Sequence, residues 1–243
     1  MEIQNLFDLC GAILAPKRGY YNDQKSVSEP VRQHFYRLES EEKNFFGSAN
    51  LPKSTEVVTM SGQATINDPE LLNWAKNLEP QIIFLFGTEI LKAGWLKAFP
   101  EKIINLHLGI SPFYRGSGTL FWPFFHNELH FVGATVHVTA AKVDAGGILG
   151  HALPELEPGD NFYTINMKAI AKGIAVTPRL GIEYLRGSRI PQPQDTSVGR
   201  LCRKGDFGET ALSKALSTIP TAGLSEEAIT QINRLKRDYK FSN

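Results

Sequence analysis

Residues 104–118 read INLHLGISPFYRGSG, and the stretch opens by alternating. Ile104, Leu106 and Leu108 are apolar, with Asn105 and His107 between them. In a β-strand, residues two apart point to the same side and stand about 6–7 Å apart. Asn105 and His107 therefore share one face, and the aliphatic residues take the other, against packing helices. The alternation ends at Gly109, and Ser111-Pro112, Arg115, Gly116 and Gly118 mark a loop. In open parallel sheets, ligands bind beyond the carboxyl ends of strands. A polar pair placed just before a loop is thus a candidate site.

The same device recurs in residues 133–139, GATVHVT. Ala134, Val136 and Val138 form one face, and Thr135, His137 and Thr139 the other. Lys142-Val143-Asp144-Ala145-Gly146-Gly147 follows, a carboxylate in a glycine-rich loop. A folded loop brings Asp144 to Asn105 and His107.

Upstream, Asp68-Pro69-Glu70 is a helix start, with a capping Asp, a first-turn Pro and an acid favoured by the dipole. Leu71, Leu72, Ala75 and Leu78 repeat at helical spacing up to Pro80. Residues 82–86 form a short apolar strand ended by Gly87, residues 88–99 a helix, and residues 103–108 a strand. Strand–helix–strand alternation predicts an α/β unit with a parallel sheet. Residues 9–15 read as a buried strand closed by Pro16. Residues 17–66 are polar, with one helix near 29–42. Residues 131–139 and 147–156 read as strands, and residues 161–186 as a long helix broken or kinked near Thr177-Pro178. Residues 191–196 read as a linker, and residues 225–240 as a capped helix with a solvated charged face. The expected organisation is an α/β domain over 1–190, with a linker and a C-terminal helical extension packing on it over 191–243.

The 243 residues carry 26 Lys+Arg against 25 Asp+Glu, a formal net charge of +1, so nothing global points to nucleic acid or an anionic membrane. Cys10 and Cys202 stand apart, with no CxxC spacing for zinc or redox chemistry, and a reduced cytoplasmic setting is expected. No apolar run reaches the ~18 residues that span a bilayer, and the first residues lack a signal-peptide pattern.

An Asn, a His and an Asp that converge without a Ser or Cys nucleophile suit acyl transfer to an amine, because the amine itself attacks the carbonyl. Asn donates to the developing oxyanion, His takes the amine's proton, and Asp orients the imidazole. Taken alone, an Asn-x-His equally describes polar groups satisfied at a strand end. His126-Asn-Glu-Leu-His130 offers two histidines at i, i+4 that could share a helix face and hold zinc, but it is neither HExxH nor HxxEH, and no metal is expected. Asp206-Phe207-Gly208 reads as a turn.

Taken in order, Asn105-Leu-His107, Ser111-Pro112-Phe-Tyr-Arg115-Gly116, Gly133-Ala-Thr-Val-His137 and Asp144-Ala-Gly146-Gly-Ile148 resemble the 10-formyltetrahydrofolate-dependent formyltransferase family. That family includes methionyl-tRNA, glycinamide ribonucleotide and sugar N-formyltransferases. The resemblance covers residues 80–156 well and residues 9–15 loosely. It implies a doubly wound α/β fold with a mostly parallel, Rossmann-like sheet, and 10-formyltetrahydrofolate as formyl donor. Asn105, His107 and Asp144 match the family's catalytic trio. Phe86, Gly87, Ile90 and Leu91 resemble its folate-side loop, and the backbone at Lys142 and Val143 would complete the pterin pocket. Ser111, Arg115 and His137 match motif positions on the substrate side. Arg115 reads best as tying down the loop, and His137 as either a site wall or a satisfied core histidine.

Three departures stand out. Gly109 replaces a usual serine, which suggests a missing polar contact near the acceptor. Gly147 replaces a proline or polar residue, which suggests a looser loop. Met1 falls about where the family's first helix should be, so the first, central strand is expected to be lacking. The acceptor is expected to be a small-molecule amine, an amino sugar on a nucleotide being favoured. Transfer RNA is disfavoured because few residues follow Pro191, and glycinamide ribonucleotide because its early phosphate cradle is missing. The alternatives are hydrolysis of the donor to formate and tetrahydrofolate, or a shortened folate-binding protein with little turnover.

Overall fold

The computed structural model describes residues 6–16, 27–48, 50–239 and 241. From the amino end come β1 (Gly11–Leu14), α1 (Glu29–Phe46), β2 (Glu56–Thr59), α2 (Pro69–Asn77), β3 (Ile83–Phe86), α3 (Ala93–Ala98) and β4 (Ile103–His107). Next come β5 (Tyr114–Gly116), α4 (Trp122–Phe125), a 3-10 turn at Leu129–Phe131, β6 (Ala134–Val138), β7 (Ile148–Ala152) and α5 (Phe162–Leu185). The last are β8 (Arg200–Cys202), a 3-10 turn at Lys204–Asp206, α6 (Glu209–Ser217) and α7 (Glu226–Asp238).

The alternation of residues 68–108 produces the expected parallel pair: β3 runs beside β4, with Leu85 opposite Asn105. The sheet continues in the order β3-β4-β6-β7, β6 and β7 joining antiparallel. β1 pairs with β2 and β5 with β8, both in parallel. The fold is α/β, with mostly parallel pairing. Among the described residues the β1–β2 pair is not hydrogen-bonded to β3. Ile13 and Val58 nevertheless pack on the same apolar cluster as Ile83 and Leu85, under Leu71 and Ala75 of α2 and Trp95 of α3.

β4 sits inside the sheet, and its aliphatic face is covered by α5. Ile104, Leu106, Val136 and Leu180 form one cluster. The helix lies close because a Cβ on Gly173 would stand 2.8 Å from Leu106, and one on Gly181 2.7 Å from Phe84. That packing carries the amino end of α5 beyond the carboxyl end of β4. Asn161 starts the helix with a capping box: its Oδ1 accepts from the N–H groups of Tyr163 and Thr164, and Thr164 Oγ1 accepts from its own N–H. The expected break at Thr177-Pro178 does not occur. α5 continues through Pro178, and the Thr177 hydroxyl donates to the Gly173 carbonyl at 2.7 Å.

Other boundaries move for local reasons. The helix expected over 88–99 is confined to α3, because Asn67 ties the preceding loop, donating to the Ile90 carbonyl and accepting from the Lys92 N–H. The strand expected over 131–139 begins at Ala134, after the turn at Leu129–Phe131. His126 follows the end of α4 and His130 lies in that turn, so the two histidines share no helix face. Residues 17–66 held an unrecognised strand, β2. At the carboxyl end, Ser225 caps α7 by accepting from the Ala228 N–H. Leu212 and Ala215 of α6 and Ile232 of α7 join Phe124 and Phe162 in the largest apolar cluster.

Candidate active site

The register of β4 and β6 sets His137 opposite Asn105, and Thr135 opposite His107. Asp144 reaches them from the loop between β6 and β7, with φ +47°, a left-handed conformation uncommon for a residue bearing a side chain. Its Oδ2 lies 3.4 Å from His107 Nδ1 and accepts the Gly116 N–H at 2.9 Å. Its Oδ1 lies 3.4 Å from Asn105 Nδ2 and 3.6 Å from His137 Nε2.

The hydrogen-bond partners assign the protons. His107 Nε2 lies 2.9 Å from the Tyr114 carbonyl, which only accepts, so Nε2 carries hydrogen. In the neutral ring the lone pair is then on Nδ1, facing Asp144. His137 Nδ1 donates to the Val138 carbonyl at 3.0 Å, leaving Nε2 as an acceptor 3.2 Å from Asn105 Nδ2. The Asn105 amide therefore turns its NH2, not its oxygen, toward both His137 and Asp144. Burial pushes the His107 imidazole below its usual 6.5, with the Asp144 charge and the Tyr114 carbonyl opposing that only in part. Burial pushes the Asp144 carboxyl up. The His137 and His107 rings, which act on it as cations when protonated, and the Gly116 N–H outweigh it, so the carboxyl is held below the usual carboxylate range.

Residues 191–196, read as a linker, are a strap across the Asp144 loop. Gln192 and Ile148 exchange backbone hydrogen bonds at 2.7 and 2.8 Å. Gln194 Nε2 donates to the Gly146 carbonyl at 2.5 Å, and Lys142 Nζ donates to Thr196 Oγ1 at 2.5 Å. The loop is correspondingly not loosened by Gly147, where a Cβ would lie 2.5 Å from Pro191. β8 contributes as well. It pairs Cys202 with Gly116, whose φ of +96° and close approach to the Cys202 carbonyl leave no room for a side chain. The N–H that holds Asp144 is thereby fixed from the carboxyl-terminal segment. Gly109 also has a steric reason. A Cβ there would lie 2.6 Å from Thr119 Cβ and 2.7 Å from His107 Nε2, because Thr119, its hydroxyl on the Leu108 carbonyl, fills that space.

Asn105, His107, His137 and Asp144 line a cleft of about 900 Å³. One wall is Leu85, Gly87, Ile90, Leu91 and Val143; the other brings His34 and Phe35 of α1 against Phe121, Phe162 and Asn166. Four expected residues lie off the walls. Phe86 alternates away from Leu85 and is half exposed, and Lys142 is drawn to Thr196. Ser111 is wholly buried, its N–H on Thr135 Oγ1 and its carbonyl accepting from His151. Arg115 is buried with Nη2 on the Thr196 carbonyl at 3.1 Å, tying the strap down as a loop-fixing residue would. The aromatic run at Phe121 and Trp122 is buried core that also lines the cleft.

The family model described as formyl transferase matches residues 38–179, more than half of the chain. The chain belongs to the formyl transferase family. It is 26% identical over 191 residues to a methionyl-tRNA formyltransferase of Roseiflexus sp. (strain RS-1), a match covering 78% of this chain and 53% of that protein. The chain thus spans about half the length of the curated relatives it matches. Among solved structures it is similar to the formyltransferase PseJ from Anoxybacillus kamchatkensis, in complex with UDP-4,6-dideoxy-4-formamido-L-AltNAc and tetrahydrofolate. That match has a TM-score of 0.55 at 16% identity and covers 86% of this chain and 98% of that one. It is also similar to glycinamide ribonucleotide transformylase 1 from Symbiobacterium toebii, with a TM-score of 0.50 at 22% identity, covering 66% and 76%. At these identities the likeness shows the fold.

As a formyl transferase family member, the chain places Asn105, His107 and Asp144 inside the matched span, whereas the 191–196 strap and β8 lie beyond it. Leu85, Ile90, Leu91 and Val143 give the cleft an apolar stretch of lining. Three features of the opposite wall escaped sequence reasoning. His34 falls in the apolar stripe of α1 with Val31, Phe35 and Leu38, Asn166 falls in that of α5, and Arg203 lies just past β8. A polar residue within a helical apolar stripe was the available signal for the first two.

Proposed function

We propose that this protein moves a formyl group from 10-formyltetrahydrofolate to the primary amine of a small acceptor, an amino sugar on a nucleotide being favoured. The observation that carries this reading is the convergence of Asn105, His107 and Asp144 in a cleft whose lining also includes apolar Leu85, Ile90, Leu91 and Val143 and aromatic Phe35, Phe121 and Phe162. When bound in the cleft, the donor supplies a carbonyl carbon attached to a leaving nitrogen. Asn105 meets the carbonyl oxygen as it gains negative charge. Its 3.4 Å contact with Asp144 is long, so one N–H is exchanged at little cost. His107 Nδ1, neutral because of burial, takes the proton from the attacking amine, and Asp144 3.4 Å away stabilises the imidazolium that results. The same proton is then available to the departing nitrogen. The similar PseJ fold was solved with a nucleotide-linked sugar, which supports the acceptor class favoured here. Among the described residues no helix is long and apolar enough to cross a membrane.

The test is incubation of the full chain with 10-formyltetrahydrofolate and a panel of amines: nucleotide-linked amino sugars, glycinamide ribonucleotide and methionyl-tRNA. Formyl gain is read by mass. Gain on an amino sugar nucleotide is the expected result. Formate release without any acceptor gain turns the reading to hydrolysis, and absence of both overturns catalysis altogether.

A further inference from the structure

Two polar side chains occupy the acceptor wall of the cleft where apolar lining would pack as well. Asn166 of α5 is only 4% exposed, and its Oδ1 has no hydrogen-bond partner among the described residues. Buried amide oxygens are rarely left unpaired. His34 of α1, also 4% exposed, has Nδ1 3.0 Å from the Tyr163 hydroxyl, and its ring lines the cleft. The His34 ring packs on Phe162 and Tyr163, centroids 5.4 and 5.6 Å away. Those two residues stand one helical turn before Asn166, so both polar groups belong to one strip where α1 faces α5. Both line the same cleft as the trio, among Phe35, Phe121 and Phe207. Burial and the nearby Arg37 charge lower His34 to about 4, so the strip is uncharged at neutral pH.

We propose that His34 and Asn166 form an acceptor-side subsite that holds an uncharged group able both to donate and to accept hydrogen bonds, a hydroxyl above all. The subsite selects hydroxylated amines over plain alkyl amines. The inference rests on the transferase reading and names what that site prefers. An amide both accepts and donates, and His34, its Nδ1 against the Tyr163 hydroxyl, offers Nε2 as donor or acceptor according to its tautomer. A hydroxyl satisfies both; an alkyl ring leaves both unpaired.

The experiment compares glucosamine with cyclohexylamine as acceptors, with 10-formyltetrahydrofolate as donor, in wild type, Asn166→Leu and His34→Phe. Asn166→Leu is expected to lower kcat/KM for glucosamine by about tenfold or more, while cyclohexylamine changes by less than about twofold. Removing an unpaired buried oxygen is also expected to raise the melting temperature by about 2–5 °C, a readout opposite to that of a structural asparagine. His34→Phe is expected to reproduce the loss on glucosamine alone. Equal losses on both amines, no loss on either, a lowered melting temperature for Asn166→Leu, or no glucosamine formylation by the wild type overturns the subsite. Calorimetric titration with tetrahydrofolate follows the donor side independently. Absence of binding by the wild type sinks the transferase reading itself, whereas retained binding with the outcomes just named sinks only the subsite.

Discussion

His107 shows how a single side chain's chemistry is set by what its neighbours can donate or accept. Because the Tyr114 carbonyl claims Nε2, the proton-accepting position is Nδ1, and Asp144 faces it. His107→Ala should therefore lower formyl transfer by about 10²–10⁴-fold while tetrahydrofolate binding, measured by calorimetry, changes little. Activity also needs the neutral imidazole. Burial holds His107 below 6.5, so the pH–rate profile should carry a limb that rises through a value below 6.5, separate from the acceptor amine's own deprotonation at higher pH. Asp144 opposes that lowering, so Asp144→Asn should shift the limb further toward acid as well as lowering the rate. A limb that stays put, or moves toward neutral, would show that Asp144 does not act on His107. Asn105 and His107 were legible because a strand's two-residue period exposes any polar pair on one face. His34 and Asn166 were not, since a polar residue inside a helical apolar stripe looks the same whether it is satisfied by a neighbour or aimed into a cleft.

The loop carrying Asp144 is held at the scale of elements, by β6, β8 and the strap together. A Cβ on Gly146 would stand 1.7 Å from the Val138 carbonyl, a backbone atom of β6 that cannot turn aside. Gly146→Ala should destabilise by about 1–3 kcal/mol and suppress transfer by displacing Asp144. Gly205→Ala, where nothing lies within 4 Å of the added carbon, serves as the control and should be silent. Gln194→Ala removes the donor to the Gly146 carbonyl and should cost about 0.5–1.5 kcal/mol, with kcat falling more than KM rises. Thermal melts and steady-state kinetics on the three variants decide the matter. If Gln194→Ala leaves kcat unchanged, the strap is packing and not support. The β-strands of this region were readable from alternation. The strap was not, because it works through side-chain-to-backbone bonds that have no sequence period, and a Pro–Gln–Thr run of this kind reads as spacer.

Across the whole molecule, the legible part was the alternation that lays β3 beside β4, and the illegible part was long-range. Nothing in the sequence says that β8 pairs with β5, or that the Gly173 and Gly181 face of α5 lies against Leu106 and Phe84. Those contacts bury histidines throughout the fold, and this has a measurable consequence. Burial lowers His34 from 6.5 to about 4, and lowers His107, His126, His130 and His151 as well. Each is neutral in the folded chain at a pH where the unfolded chain has already bound a proton, so the unfolded state binds more protons below pH 6.5 and stability falls there. Asp144 is lowered from 3.8, so its contribution is lost only as pH drops through still lower values. Acid unfolding should thus begin well before the carboxylates protonate, with each histidine adding a slope of up to about 1.4 kcal/mol per pH unit. Urea midpoints measured from pH 7.5 down to pH 4 should fall steadily over that range. In His34→Phe the curve should be shallower between 6.5 and about 4, the interval in which His34 alone differs between the two proteins. A wild-type midpoint that stays level until below pH 4 would mean that the histidines are not held neutral by burial, and the assignment of Nδ1 on His107 as the waiting base would lose its support.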